Sequence, residues 1–173
     1  RRVISVNLPE PTPAGGIARG LGYDVVSQVT LARIGKVIDT VPGARDLGLR
    51  VFRLSESAFR DSTPEDGELN LSPSTLRDGV DDQYAVAAEV LLKEGVPLDA
   101  EWVEHAFGTV TAQVSAGVAV VSGDGLDVAV AERIFNLGPS VVVFLEDDIA
   151  GQDALKANMV ANAKARGIMV KTV

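Results

Sequence analysis

The side chains that could do chemistry gather in the second half of the chain. Gly123-Asp124-Gly125 stands between a strand-like run and a helix-like one, with Glu146 following at the end of the next strand-like run. That is the outline of a dinucleotide-binding turn, in which glycines let the backbone approach a pyrophosphate and an acidic residue about twenty positions on meets a ribose hydroxyl. Two features oppose it. The third glycine position holds Val128, and Asp124 with Asp127 put carboxylates where the phosphates would sit. The residues read instead as a turn from a hairpin into a helix.

Glu146, Asp147, Asp148 and Asp153 follow an all-apolar run, the place where α/β sheets keep ligands, and their oxygens would suit a hard cation such as Mg²⁺. No phosphate-binding loop accompanies them, which favours a solvated turn with an Asp capping the next helix. His105 is the only histidine and there is no cysteine, so a two-histidine site, a thiolate metal site and a disulfide framework are all excluded. No serine sits in a Gly-x-Ser-x-Gly setting. Trp102 and Phe107 lack interleaved basic residues and read as core rather than as stacking platforms. Asn7, at the end of the first apolar run, could bond a ribose or finish a turn. No catalytic residue and no metal ligand is assigned.

The elements that must position these residues follow from periodicity. Val3–Leu8 reads as a strand stopped by Pro9, Pro11 and Pro13; a glycine-rich loop follows. From Ser27, a plausible N-cap, Leu31, Ile34, Val37, Ile38 and Val41 keep a helical period up to Pro42-Gly43, and Leu49–Ser55 reads as a second strand. Strand, helix and strand make a β-α-β unit, which belongs to a wider sheet. Residues 56–82 are polar, acidic and aperiodic, a linker or surface loop. Beyond them the pattern gives a helix Tyr84–Glu94 carrying Val86, Val90 and Leu91 on one face, and an ambiguous stretch Trp102–Phe107. A hairpin pairs Thr109–Val114 with Val118–Ser122 around Ala116-Gly117. A helix Leu126–Leu137 turns Val130, Ile134 and Leu137 inward, and Val141–Leu145 is a strand buried on both faces. A helix Gln152–Arg166, with Leu155, Met159, Val160 and Ala163 inward, leads to a terminal strand ending at Val173.

With 173 residues, 46% of them hydrophobic, the chain can bury a core; its formal charge of −8 and scattered basic residues argue against a nucleic-acid grip of its own. No apolar run approaches the roughly 18 residues of a membrane span, and the start shows no signal-peptide pattern. Beginning Arg1-Arg2 and running straight into an apolar stretch, it is expected to be part of a longer polypeptide.

Several segments, taken in order, carry a resemblance. They are Arg1-Arg2-Val3-Ile4-Ser5-Val6-Asn7-Leu8-Pro9-Glu10-Pro11, Gly22-Tyr23 ahead of the helix, and Gly48-Leu49-Arg50-Val51-Phe52-Arg53-Leu54. Further on come Leu91-Leu92-Lys93-Glu94-Gly95-Val96-Pro97-Leu98, Val143-Phe144-Leu145 with Ala150 to Asn158, and Gly167-Ile168 with Thr172-Val173. Together they resemble the C-terminal region of adenine-specific DNA methyltransferases, the modification (Mod) subunits of type III restriction-modification systems. The resemblance implies S-adenosylmethionine-dependent methyl transfer to the exocyclic amine of adenine, DNA contacted through the rest of the parent chain, a homodimer, a restriction (Res) subunit as partner and a cytoplasmic location. The family's glycine-rich cofactor loop and its Asp-Pro-Pro-Tyr-type motif, which holds a flipped adenine in line with the methyl donor, would both lie before Arg1. Neither occurs in this sequence.

On this resemblance residues 1–55 form the edge β-α-β portion of the S-adenosylmethionine-dependent methyltransferase sheet and 83–173 a small α/β domain for dimerisation or partner binding. Asn7 falls where the cofactor ribose is met and Ser55 beside the cofactor adenine. The helix after Gly-Tyr keeps only Arg33 and Lys36 of the family's basic character, and Ser55 stands where the family often has Asp. The expectation is an α/β chain inactive by itself. The competing expectation is a non-catalytic interaction or assembly module.

Overall fold

The computed structural model describes residues 3–43, 49–60, 76–80 and 82–173. The chain divides into two compact units, Arg1–Val51 and Phe52–Val173.

In the first unit a short helix α1 (Ile17–Gly20) precedes α2 (Val26–Thr40). The cap of α2 differs from the expected Ser27: the N-cap is Val25, and Gln28 reaches back so that its Oε1 accepts from the backbone N–H groups of Asp24 (2.6 Å) and Val25 (3.1 Å). A Gln in the first turn thus satisfies donors that a Ser N-cap would otherwise serve. Hydrogen bonds hold this unit together. Thr12, the one buried residue among those described in this unit, donates its hydroxyl to the Tyr23 carbonyl at 2.6 Å, Arg19 pairs with Asp24, and Val26 N–H donates to the Glu10 carbonyl at 2.9 Å.

The expected strands Val3–Leu8 and Leu49–Ser55 are not formed. Neither run forms a ladder, and their apolar side chains lie open, Val6 at 88% and Leu54 at 100% exposure. The reason is that a strand exists by its partner: among the described residues the first unit's single β contact is the isolated bridge between Pro11 and Val25. Helix α2 buries no residue either.

The second unit contains the sheet. Its order β1-β2-β3-β4-β5 follows the chain, with β1 Trp102–Phe107, β2 Val110–Ser115, β3 Val118–Ser122, β4 Val141–Phe144 and β5 Met169–Thr172. The first three strands form an antiparallel meander; β3, β4 and β5 are parallel, joined through α4 (Val128–Phe135) and α5 (Asp153–Ala165). The ambiguous stretch Trp102–Phe107 is therefore an edge strand. Alternation sorts each central strand between two cores. Ala119, Val121, Val142 and Phe144 meet Ala131, Ile134 and Phe135 of α4 and Met159 and Ala163 of α5. Val118, Val120, Val143 and Leu145 meet Val86, Ala87, Val90 and Leu91 of α3 (Gln83–Lys93). The result is an α/β/α sandwich whose middle strands are buried on both sides, as the unbroken Val141–Leu145 run implies.

Helix α3 has clear ends. Asp82 accepts from the N–H groups of Tyr84 and Ala85 at 3.0 and 3.1 Å, and Gly95, at φ +81°, lets Val96 N–H return to the Leu91 carbonyl at 2.9 Å. Two helices are shorter than their apolar period suggests. Helix α4 stops at Phe135, so Phe135 and Ala131 join Ile134 inward while Leu137 is exposed; on α5 Val160 also faces out. Within the polar stretch before α3, Ala58 and Phe59 are buried against it, pinned by Glu89, whose carboxylate accepts from the Ser57 hydroxyl (2.6 Å) and the Ala58 N–H (2.7 Å).

Candidate functional site

The parallel strands β3 and β4 end side by side, and there the two acidic motifs meet. Ser122 closes β3, and Gly123 follows in a conformation open only to glycine: φ is +114°, and a Cβ would stand 2.2 Å from the Thr109 carbonyl oxygen. The Gly123 N–H donates to Asp148 Oδ2 at 2.9 Å. The Thr109 hydroxyl donates to the Asp124 carbonyl, and Asp127 caps α4 by accepting from Val130 N–H at 2.7 Å. This settles the glycine motif in favour of a hairpin-to-helix turn. The N–H that would meet a pyrophosphate already serves a carboxylate of the protein itself.

After β4 the chain makes one 3₁₀ turn, Glu146–Ile149, and its three carboxylates diverge. Glu146 pairs with Lys156 on α5. Asp147 Oδ2 accepts from Leu76 N–H at 3.0 Å, and Asp148 takes Gly123. Asp153 is the first residue of α5. Among the described residues no group of three acidic or histidine side chains is placed to hold a metal ion. The expected Asp cap is not formed, since the N-cap of α5 is Gln152 without a side-chain cap bond, and Glu146 and Asp148 are half-buried in their ties rather than fully solvated.

Asp148 differs from its neighbours. Burial pushes its carboxyl above the ordinary range, the Gly123 N–H draws it back, and the nearby Asp124 and Asp147 carboxylates raise it again. It opens on a cleft of about 220 Å³ lined by Leu76, Val80, Gln83, Val86, Ser122 and Leu145. Ser122, 3% exposed, has its hydroxyl 3.2 Å from the Thr111 hydroxyl and 3.4 Å from Gln83 Oε1. This polar wall is a site the residue-by-residue reading misses. A signal was present in Val110-Thr-Ala-Gln-Val-Ser115, whose alternate positions Thr111, Gln113 and Ser115 share the face that Ser122 also occupies.

The other candidates do not line this cleft. Asn7 belongs to the first unit, exposed, its Oδ1 accepting from the Ser5 hydroxyl at 3.2 Å. Ser55 belongs to the second unit, also exposed. His105 is half-buried on β1. Trp102 stacks on Tyr84 with ring centroids 4.4 Å apart and packs into the α3 core.

Fold and site together define an α/β/α domain with a small, partly open cleft at the carboxyl ends of two parallel strands. No family model matches the chain, and no curated protein matches it. No helix among the described residues is long and apolar enough to cross a membrane.

Proposed function

We propose that the chain is the C-terminal part of an S-adenosylmethionine-dependent, adenine-specific DNA methyltransferase of the type III modification class. In this reading the first unit and the run from Leu49 complete the edge of a cofactor sheet whose other strands come from the rest of the polypeptide. The second unit is a non-catalytic domain serving dimerisation or contact with a restriction subunit. One observation carries the reading beyond the resemblance of segments. Two β-forming runs flank an amphipathic helix, yet none of their apolar side chains is buried. Val3, Ile4, Val6 and Leu8 together expose a strand's worth of apolar surface, which at about 25 cal/mol per Å² is a strong drive to join a sheet.

The chain's acidic balance fits a part that leaves DNA to other segments. Asn7 and Ser55 would then face the cofactor ribose and adenine once the sheet is complete.

The test is to sequence the coding DNA upstream of Arg1 and to assay methyl transfer. A glycine-rich loop a short way upstream, preceded by an Asp-Pro-Pro-Tyr-like motif, and adenine methylation by the extended polypeptide but not by this chain are the expected results. A start codon adjoining Arg1, or adenine methylation by the chain alone, would overturn the reading. The same exposed apolar surface favours a second reading, a free-standing assembly module; a stable self-association of a chain with no upstream methyltransferase motifs would establish it.

A further inference from the structure

The cleft at the ends of β3 and β4 has an unbalanced charge. Asp148 Oδ2 accepts from Gly123 N–H, while among the described residues Oδ1 receives no hydrogen bond and the charges acting on the carboxylate are the like charges of Asp124 and Asp147. Among the described residues no basic one lines the cleft, and several in the second unit pair with other carboxylates. Lys156 pairs with Glu146, Arg60 with Asp78, Arg77 with Glu56, Lys93 with Glu89 and Lys171 with Glu94. A half-buried carboxylate without a cation is costly, and the cost is relieved by any cation that fits beside it. The remaining walls say which cations fit. Leu76, Val80, Val86 and Leu145 are apolar, and Ser122 and Gln83 offer a hydroxyl and a carboxamide. A metal ion would need further oxygen ligands that are not placed there, and an anion would meet Asp124 and Asp147.

We propose that this cleft binds a small organic cation, an amine or amidine with an apolar flank, whose N–H groups donate to Asp148 and whose body lies against Val80, Val86 and Leu145. The assignment is independent of whether the chain belongs to a methyltransferase. Charge-assisted N–H···O bonds to a carboxylate are the strong class, and in a partly enclosed cleft they discriminate a cation from a neutral molecule of the same shape.

Benzamidinium is a suitable probe and neutral benzamide its control, each titrated into the full chain while the backbone amides of Ser122, Gly123 and Leu145 are followed by NMR. Benzamidinium is expected to move these signals and to bind at least about tenfold more tightly than benzamide. Asp148→Asn, which keeps an oxygen for Gly123, is expected to erase that preference. Val80→Trp fills the cleft without touching a charge and should abolish binding of both. As pH falls and Asp148 takes up its proton, benzamidinium should weaken; Asp124 and Asp147 are the other titratable groups facing it. Unmoved cleft signals at saturating probe, equal affinity for the two probes, or full binding by Val80→Trp would each overturn the proposal. The last two comparisons decide it even if Asp148→Asn fails to fold.

Discussion

Replacing Gly123 by alanine tests whether the junction of β3 and the acidic turn is as tight as its geometry says. The added Cβ would lie 2.2 Å from the Thr109 carbonyl oxygen and 3.1 Å from Val110 Cα, both backbone atoms, so the chain must move by about an ångström rather than a side chain swinging aside. The positive φ adds strain of about 1–3 kcal/mol. Moving Gly123 also weakens its N–H bond to Asp148, a charge-assisted bond worth about 1.5–3 kcal/mol. Together the loss is about 3–6 kcal/mol, a large part of the 5–15 kcal/mol that holds a typical domain. Gly95→Ala is the matched control: φ there is +81°, but nothing lies within 4 Å of the new Cβ, so about 1 kcal/mol is expected. Guanidinium unfolding followed by the fluorescence of Trp102, the chain's single tryptophan, reports on the second unit directly. If the two variants fall within about 1 kcal/mol of each other, the close approach at Gly123 has no energetic weight and the reasoning fails.

Three further outcomes follow from the same residues. Ala116 holds φ +46° beside Gly117 in the β2–β3 turn, a conformation Asn adopts more easily, so Ala116→Asn should raise stability by about 0.5–1 kcal/mol in the same unfolding assay. Burial works against ionisation of Glu89, but bonds from Lys93, Ser57 and Ala58 outweigh it and hold the carboxyl below its ordinary 4.5. Its contribution is therefore present above that pH and lost as pH falls through the folded value, and Glu89→Gln should cost roughly 1–2 kcal/mol at neutral pH and nothing in acid, with faster amide exchange at Ala58. Asp148 has the opposite sign. Its carboxyl is raised from 3.8, so the folded state holds the proton more tightly and the native chain loses stability as pH rises through that window. Asp148→Asn should be the more stable at neutral pH, with the difference vanishing in acid; a difference unchanged by pH refutes the burial argument.

Much of the second unit is legible in its sequence because its signals are local. The Ala116-Gly117 turn, the unbroken apolar run at Val141 and the Gly95 and Gly167 stops each act within a few residues, and the hairpin, β4, α3 and α5 follow from them. Trp102–Phe107 stayed ambiguous because an edge strand is half-solvated and lacks a clean apolar face. Val3–Leu8 and Leu49–Ser55 read as strands from composition alone, but pairing is non-local, and no partner strand lies among the described residues. At the site, periodicity could find Gly123 and Asp148 separately; that one donates to the other across 25 positions of sequence depends on β3 and β4 ending in register. The cleft needs in addition Leu76 and Val80, from a stretch with no period to read.

The sheet's order has a consequence for how the second unit is made. Because β1 to β5 are neighbours in space in the order they occur in the chain, no strand has to be threaded between two that are already paired. A hairpin of β1 and β2 can form as soon as both have emerged from the ribosome, and β3, β4 and β5 can then each dock on a free edge, the last two bringing a helix to cover it. Growth by accretion at one edge keeps loop closures short and gives each new strand one place to add, since the other edge is already fixed as β1, the conditions under which a nascent α/β domain avoids mispairing.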